Sequence, residues 1–187
     1  MSHPRTVAVI VGSLRKDSVT RKVAKALEAL TPGLQFTEIE IGDLQHFNQD
    51  LEAAPTAEWT AFRNRIKAFD AVLFVTPEYN RSVPGVLKNA IDVGSRPYGA
   101  SVWNGKPGAV ISVSPGGIGG FGANHHLRQS LVFLNVPILT NEAYIGGAFS
   151  LFGENGELIN EGTAEFLRAF GQAFSDWIDT ILAGKAA

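Results

Sequence analysis

The chain has 187 residues, 45% of them apolar, with 18 acidic against 16 basic side chains for a formal charge of −2. That length suits one well-buried core and is short for two ordinary domains, so residues 1–187 are expected to form a single domain. The charge balance lacks the basic footprint of a nucleic-acid binder, and the absence of cysteine excludes disulfides, thiolate metal sites, iron–sulfur clusters and a cysteine nucleophile. Redox chemistry, if present, belongs to a bound cofactor.

In chain order, Thr6 to Val11 reads as a buried strand and runs into the polar turn Gly12-Ser13-Leu14-Arg15-Lys16-Asp17. A helix from Ser18 to Leu30 follows, with Ser18 as N-cap, Val19, Val23, Ala26, Leu27 and Leu30 as its apolar face, and Pro32-Gly33 as its stop. The next strand is Gln35 to Ile41, then a helix from Thr56 to Phe69 and a strand from Ala71 to Thr76. A helix from Val83 to Val93 takes Pro84 into its first turn. The strand Gly108 to Ser114, the helix Ala123 to Leu134, and a last strand from Val136 to Leu139, extending toward Tyr144, complete the alternation. The final helix, Thr163 to Leu182, is expected to press Phe166, Phe170, Phe174, Trp177 and Ile181 into the core. Alternating strands and helices predict an α/β fold of flavodoxin-like type: a three-layer sandwich around a five-stranded parallel sheet, order 2-1-3-4-5. Neither an eighteen-residue apolar run nor a leader-like start is visible, so the expected setting is cytoplasmic, without a membrane or nucleic-acid partner.

Ligands of such sheets sit beyond the carboxyl ends of the strands, which singles out three loops. After the first strand, Ser13 and Ser18 offer hydroxyls, Arg15 a forked cation, and the helix start the free N–H groups of Val19 and Thr20. Many donors in a small volume suit a phosphate monoester, the alternative being an ordinary capped helix. After the third strand, Pro77-Glu78-Tyr79-Asn80-Arg81-Ser82-Val83-Pro84 is a polar loop stiffened by two prolines, suited to a flat heterocycle. After the fourth, Ser114-Pro115-Gly116-Gly117 opens a glycine-rich run through Gly122 that formally matches a dinucleotide fingerprint. It follows the wrong strand for that role. The glycines are expected instead to let backbone approach a planar ligand or let the loop move, simple turn-making being the alternative.

Gly12-Ser13-Leu14-Arg15, Pro77-Glu78-Tyr79-Asn80, the run Ser82-Val83-Pro84-Gly85-Val86-Leu87-Lys88-Asn89-Ala90-Ile91-Asp92 and Ser114-Pro115-Gly116-Gly117 together resemble the NADPH-dependent FMN reductase family, in its chromate and quinone reductase branch. The resemblance runs from the first strand to about residue 150. It implies non-covalent FMN, with Ser13, Arg15, Ser18, Val19 and Thr20 on the phosphate, Pro77, Glu78, Tyr79 and Asn80 on the ring, and Ser114, Pro115, Gly116 and Gly117 at its remaining edge. It also implies NADPH or NADH as hydride donor, small-molecule acceptors (quinones first, then chromate and azo dyes), and a homodimer or homotetramer whose interfaces border the flavin. Arg81 and Ser82 are candidates for NAD(P)H or an anionic acceptor, solvent and a subunit contact being the alternatives for Arg81.

On this reading no side chain is a nucleophile or essential base, and no metal is required, because the flavin carries the chemistry. The rivals are a flavodoxin-type electron carrier, a response regulator and a hydrolase. The second lacks acidic residues at Gly12-Ser13 and Thr76-Pro77, and the third lacks Gly-x-Ser-x-Gly. His125 and His126 read as helix residues near a subunit surface, and as neighbours about 100° apart they are poorly placed to share a metal.

Overall fold

The computed structural model describes residues 4–186. Its centre is a five-stranded parallel sheet of β1 (Arg5–Val11), β2 (Leu34–Glu38), β3 (Ala71–Pro77), β4 (Gly108–Val113) and β5 (Ala143–Ile145), ordered β2-β1-β3-β4-β5. The order reverses beside β1, which pairs with β2 on one side and β3 on the other. This is the flavodoxin-like arrangement, and it follows from strands apolar on both faces, as β3 and β4 are along nearly their whole length.

Helices α1 (Val19–Leu30) and α5 (Glu161–Ala186) cover one face, while α2 (Ala57–Lys67), α3 (Gly85–Gly94) and α4 (Phe121–Phe133) cover the other. On the first face Val23 and Leu27 of α1 meet Phe170 and Phe174 of α5 over Val9, Leu73 and Ile111. On the second, Trp59 and Trp103 are fully buried with Phe74, and the Trp103 indole donates to Ile91 O at 2.9 Å. Ser18 and Thr56 cap α1 and α2 by accepting from the N–H groups of Arg21 and Trp59, as their sequence positions predict.

Three expectations are corrected. The fifth strand lies at Ala143–Ile145, whereas Val136 to Leu139 contributes an isolated bridge of Ile138 with Gly108. Pro137 lacks the N–H a ladder needs, and its carbonyl is shared by Gly108 N–H and the Trp177 indole. In α5 the buried stripe is Leu167, Phe170, Phe174 and Ile178, leaving Phe166 40% exposed and stacked on Phe170. Phe166 is the misplaced end of the expected stripe, while Trp177 packs partly buried against the core and its indole donates to Pro137 O. Pro84 is the N-cap of α3 and precedes the first helical residue.

Candidate functional site

The carboxyl ends of β1, β3 and β4 open into a cavity of about 250 Å³ lined by Ser13, Arg15, Ser18, Val19, Thr20, Pro77, Glu78, Tyr79, Val113, Ser114, Pro115, Ala148 and Phe149. Ten of the thirteen sequence candidates assigned to cofactor contact are thereby gathered at one place; Asn80, Gly116 and Gly117 fall outside the lining. Ser13 and Ser18 are buried there, and the N–H groups of Val19 and Thr20 have no protein acceptor among the described residues. Two free donors at a helix N-terminus, two hydroxyls and the Arg15 cation fit a phosphate monoester.

Sequence reasoning missed what holds this loop. The Arg21 guanidinium donates to Arg15 O at 2.9 Å and Ser13 O at 3.2 Å, and its Nε donates to Glu38 Oε1 at 2.7 Å. The place of Arg21 three residues after the N-cap aims it back over the turn. Glu38, at the end of β2, fixes the guanidinium from the neighbouring strand. Ala148 and Phe149 were also missed. They sit on a short 3₁₀ turn after Gly147, whose φ of +58° carried a sequence signal in the pair Gly146-Gly147.

The loop after β3 is a two-residue hairpin: Tyr79 N–H donates to Ser82 O and Ser82 N–H to Tyr79 O, both at 3.0 Å. Its central residues, Asn80 (φ +51°) and Arg81 (φ +65°), are left-handed, which Asn tolerates and Arg resists. Two contacts tether the turn to α4 and one ion pair closes it on itself. Glu78 Oε2 accepts Ala123 N–H at 3.1 Å, Glu78 Oε1 pairs with Arg81 at 3.4 Å, and His126 Nδ1 lies 3.0 Å from Ser82 Oγ. The Glu78 carboxylate therefore faces the start of α4, a structural use of a residue first read as a ring contact.

The glycine run after β4 also serves packing. A Cβ on Gly119 (φ +60°) would meet the Tyr144 backbone at 2.7 Å, and one on Gly122 would meet Arg81 O at 2.8 Å. At these two positions glycine lets the loop lie on β5 and lets α4 approach the hairpin, whereas a Cβ on Gly117 would meet nothing within 4 Å. Beneath it, fully buried Asn124 donates to Ser112 Oγ and Ala143 O and accepts from Arg128 Nε, tying α4 to β4 and β5.

His125 and His126 diverge. His125 Nε2 lies 2.9 Å from Tyr144 Oη, whose hydroxyl donates to Glu142 Oε2 at 2.5 Å, and Phe121 packs at a tilt of 42° against both rings. Burial, with that bond to the Glu142 carboxylate, pushes the Tyr144 phenol up to about 12. A second cleft, about 880 Å³, lies between α3 and the C-terminal half of α4, where Tyr98 is 92% and Phe133 88% exposed. None of the sequence candidates line it.

Residues 5–150 match the family model described as NADPH-dependent FMN reductase. A quinone reductase of Pseudomonas putida (strain KT2440) is 62% identical over 181 residues, covering 95% of this chain and 97% of that protein. A 2-hydroxy-1,4-benzoquinone reductase of a Burkholderia species is 42% identical over 174 residues, covering 92% and 95%. Among solved structures, the flavoenzyme NAD(P)H:(acceptor) oxidoreductase FerB of Paracoccus denitrificans superposes with a TM-score of 0.88 at 47% identity, covering 94% of this chain and 98% of that one.

Proposed function

This chain belongs to the NADPH-dependent FMN reductase family, and on that premise we propose that it oxidises NAD(P)H through bound FMN and reduces quinones. The observation that carries the reading is the cavity where three loops converge beyond the carboxyl ends of β1, β3 and β4, with unpaired helix donors at one end and Tyr79 and Phe149 at the other. When bound there, FMN supplies the hydride acceptor and returns two electrons to the second substrate.

The residues of the chain bind and orient. Ser13, Arg15, Ser18, Val19 and Thr20 take the phosphate, and Pro77, Glu78, Tyr79 and Asn80 border the ring through the main chain of the hairpin. Ser114, Pro115, Gly116 and Gly117 take the remaining edge, with Phe149 as an added wall. Arg81, exposed at the tip of the hairpin, and Ser82 beside it are assigned to the charged part of NAD(P)H. Arg81's unfavourable backbone supports that assignment, since strain in a bulky residue is retained where its direction matters. Quinones rank first as acceptors, with chromate and azo dyes admitted by the same open site.

Two copies of the chain are proposed to pair across the α3–α4 cleft, because Tyr98 and Phe133 leave a large apolar surface beside a groove on the same face, as a self-complementary contact requires. A tetramer would be a pair of such dimers. The cytoplasm, where NAD(P)H is supplied, is the proposed setting.

The test begins with the colour of the purified protein and FMN release on denaturation, followed by NADPH oxidation with and without a quinone. Expected are a yellow protein, released FMN and quinone-accelerated turnover; a colourless protein that cannot bind added FMN overturns the reading. Arg15→Ala is expected to weaken FMN binding about tenfold, the loss of one charge-assisted contact reduced for its exposure.

A further inference from the structure

At the opposite end of the sheet from the cofactor cavity, a hollow of about 350 Å³ is lined by Lys67, Lys106 and Lys185 together with Asp70, Ser101 and Asn104. The three lysines come from separate elements: Lys67 ends α2, Lys106 lies just before β4, and Lys185 lies in the last turn of α5. None of them forms an ion pair among the described residues. The single carboxylate of the lining is already engaged, since Asp70 Oδ2 accepts both the Thr6 N–H at 2.8 Å and the Thr6 hydroxyl at 2.9 Å.

Helix ends explain Lys67 and Lys185 one at a time, because a cation is favoured at a helix C-terminus. They do not explain convergence. Lys106 is half-buried and directs its ammonium at Phe69 O, and burial together with the neighbouring Lys185 charge holds it down to about 8. Three lysines line one hollow around a single carboxylate, whose bonds from the neutral Thr6 donors leave its charge in place to offset one of them, so the lining keeps an excess of positive charge that one multivalent anion would balance.

We propose that this hollow is an anion site for a phosphate-type oxyanion, free or carried on a small organic molecule, distinct from the cofactor cavity. The three ammonium groups supply the charge, and Ser101 and Asn104 supply neutral side chains for hydrogen bonding. Because its lining shares no residue with the cofactor cavity, the site is expected to bind without displacing FMN.

The test uses protein saturated with FMN, so that its own phosphate cradle is filled, and titrates inorganic phosphate from about 1 to about 50 mM against chloride at constant ionic strength. Thermal unfolding is expected to rise by about 5 °C in the parent and by less than half as much in Lys106→Met and Lys185→Gln. Lys185→Gln, an exposed change, keeps the comparison interpretable if Lys106→Met folds poorly. Glucose 6-phosphate run beside inorganic phosphate separates a carried phosphate from a free one. Equal phosphate responses in the parent and Lys185→Gln, or no response beyond chloride in the parent, would overturn the site. Neither result bears on the FMN reading, which is tested by colour and turnover.

Discussion

Replacing Arg21 with Met isolates the device that shapes the phosphate loop, because the stem is retained while the guanidinium is lost. In the structure that group makes two bonds to loop carbonyls, Ser13 O at 3.2 Å and Arg15 O at 2.9 Å, and is oriented by Glu38 at 2.7 Å. Arg21 and Glu38 are 22% and 27% exposed, so each bond is discounted for solvent screening below the usual range for charged donors, to about 1 kcal/mol. Two such bonds make about 2 kcal/mol of loop ordering, and without them the binding-competent fraction drops about thirtyfold. Apparent FMN affinity should fall by about that factor in a fluorescence titration of apo-protein. Glu38→Gln, which leaves the guanidinium but loosens its aim, should cost about threefold. An Arg21→Met protein that melts earlier yet binds FMN within twofold of the parent would refute the argument, because the arginine would then hold the fold and not the site.

Gly94→Ala should be among the most damaging single changes, since the new Cβ would lie 2.4 Å from the fully buried Trp103 ring; overpacking of about 3 kcal/mol lowers Tm by roughly 6–12 °C. Arg81→Gly removes left-handed strain at the hairpin but loosens the unfolded chain. The net expectation is a gain of about 0.5 kcal/mol by denaturant unfolding, with a raised KM for NADPH and an unchanged kcat. Lys106 gives a pH signature. Its folded value near 8 lies below its ordinary 10.5, so between those values the unfolded chain binds more protons and stability rises with pH. Chemical denaturation at pH 8 and pH 10 should show that rise in the parent and a smaller one in Lys106→Met.

The sheet order, the loop set and the two side-chain N-caps were legible because they depend on local pattern: apolar runs, hydroxyls before helices, polar turns after strands. Arg21 was not, because its partner Glu38 is distant in sequence and becomes a neighbour only when β2 lies beside β1. Glu78 shows the converse. Its position in the loop was right, but which way its carboxylate turns depends on α4, 45 residues later. The fifth strand failed for a local reason, Pro137, that the apolar run around it concealed. The packing use of Gly119 and Gly122 was not legible, because the bodies they approach, Tyr144 and Arg81, belong to other segments.

The two edge strands are short, five residues in β2 and three in β5. A parallel sheet ending in such brief rims offers little template for another chain to extend it, which guards a crowded cell against runaway stacking. A partnership between copies would then rest on surface side chains outside the sheet, such as Tyr98 and Phe133, where it can be gained, lost or retuned by a few substitutions without disturbing the sheet.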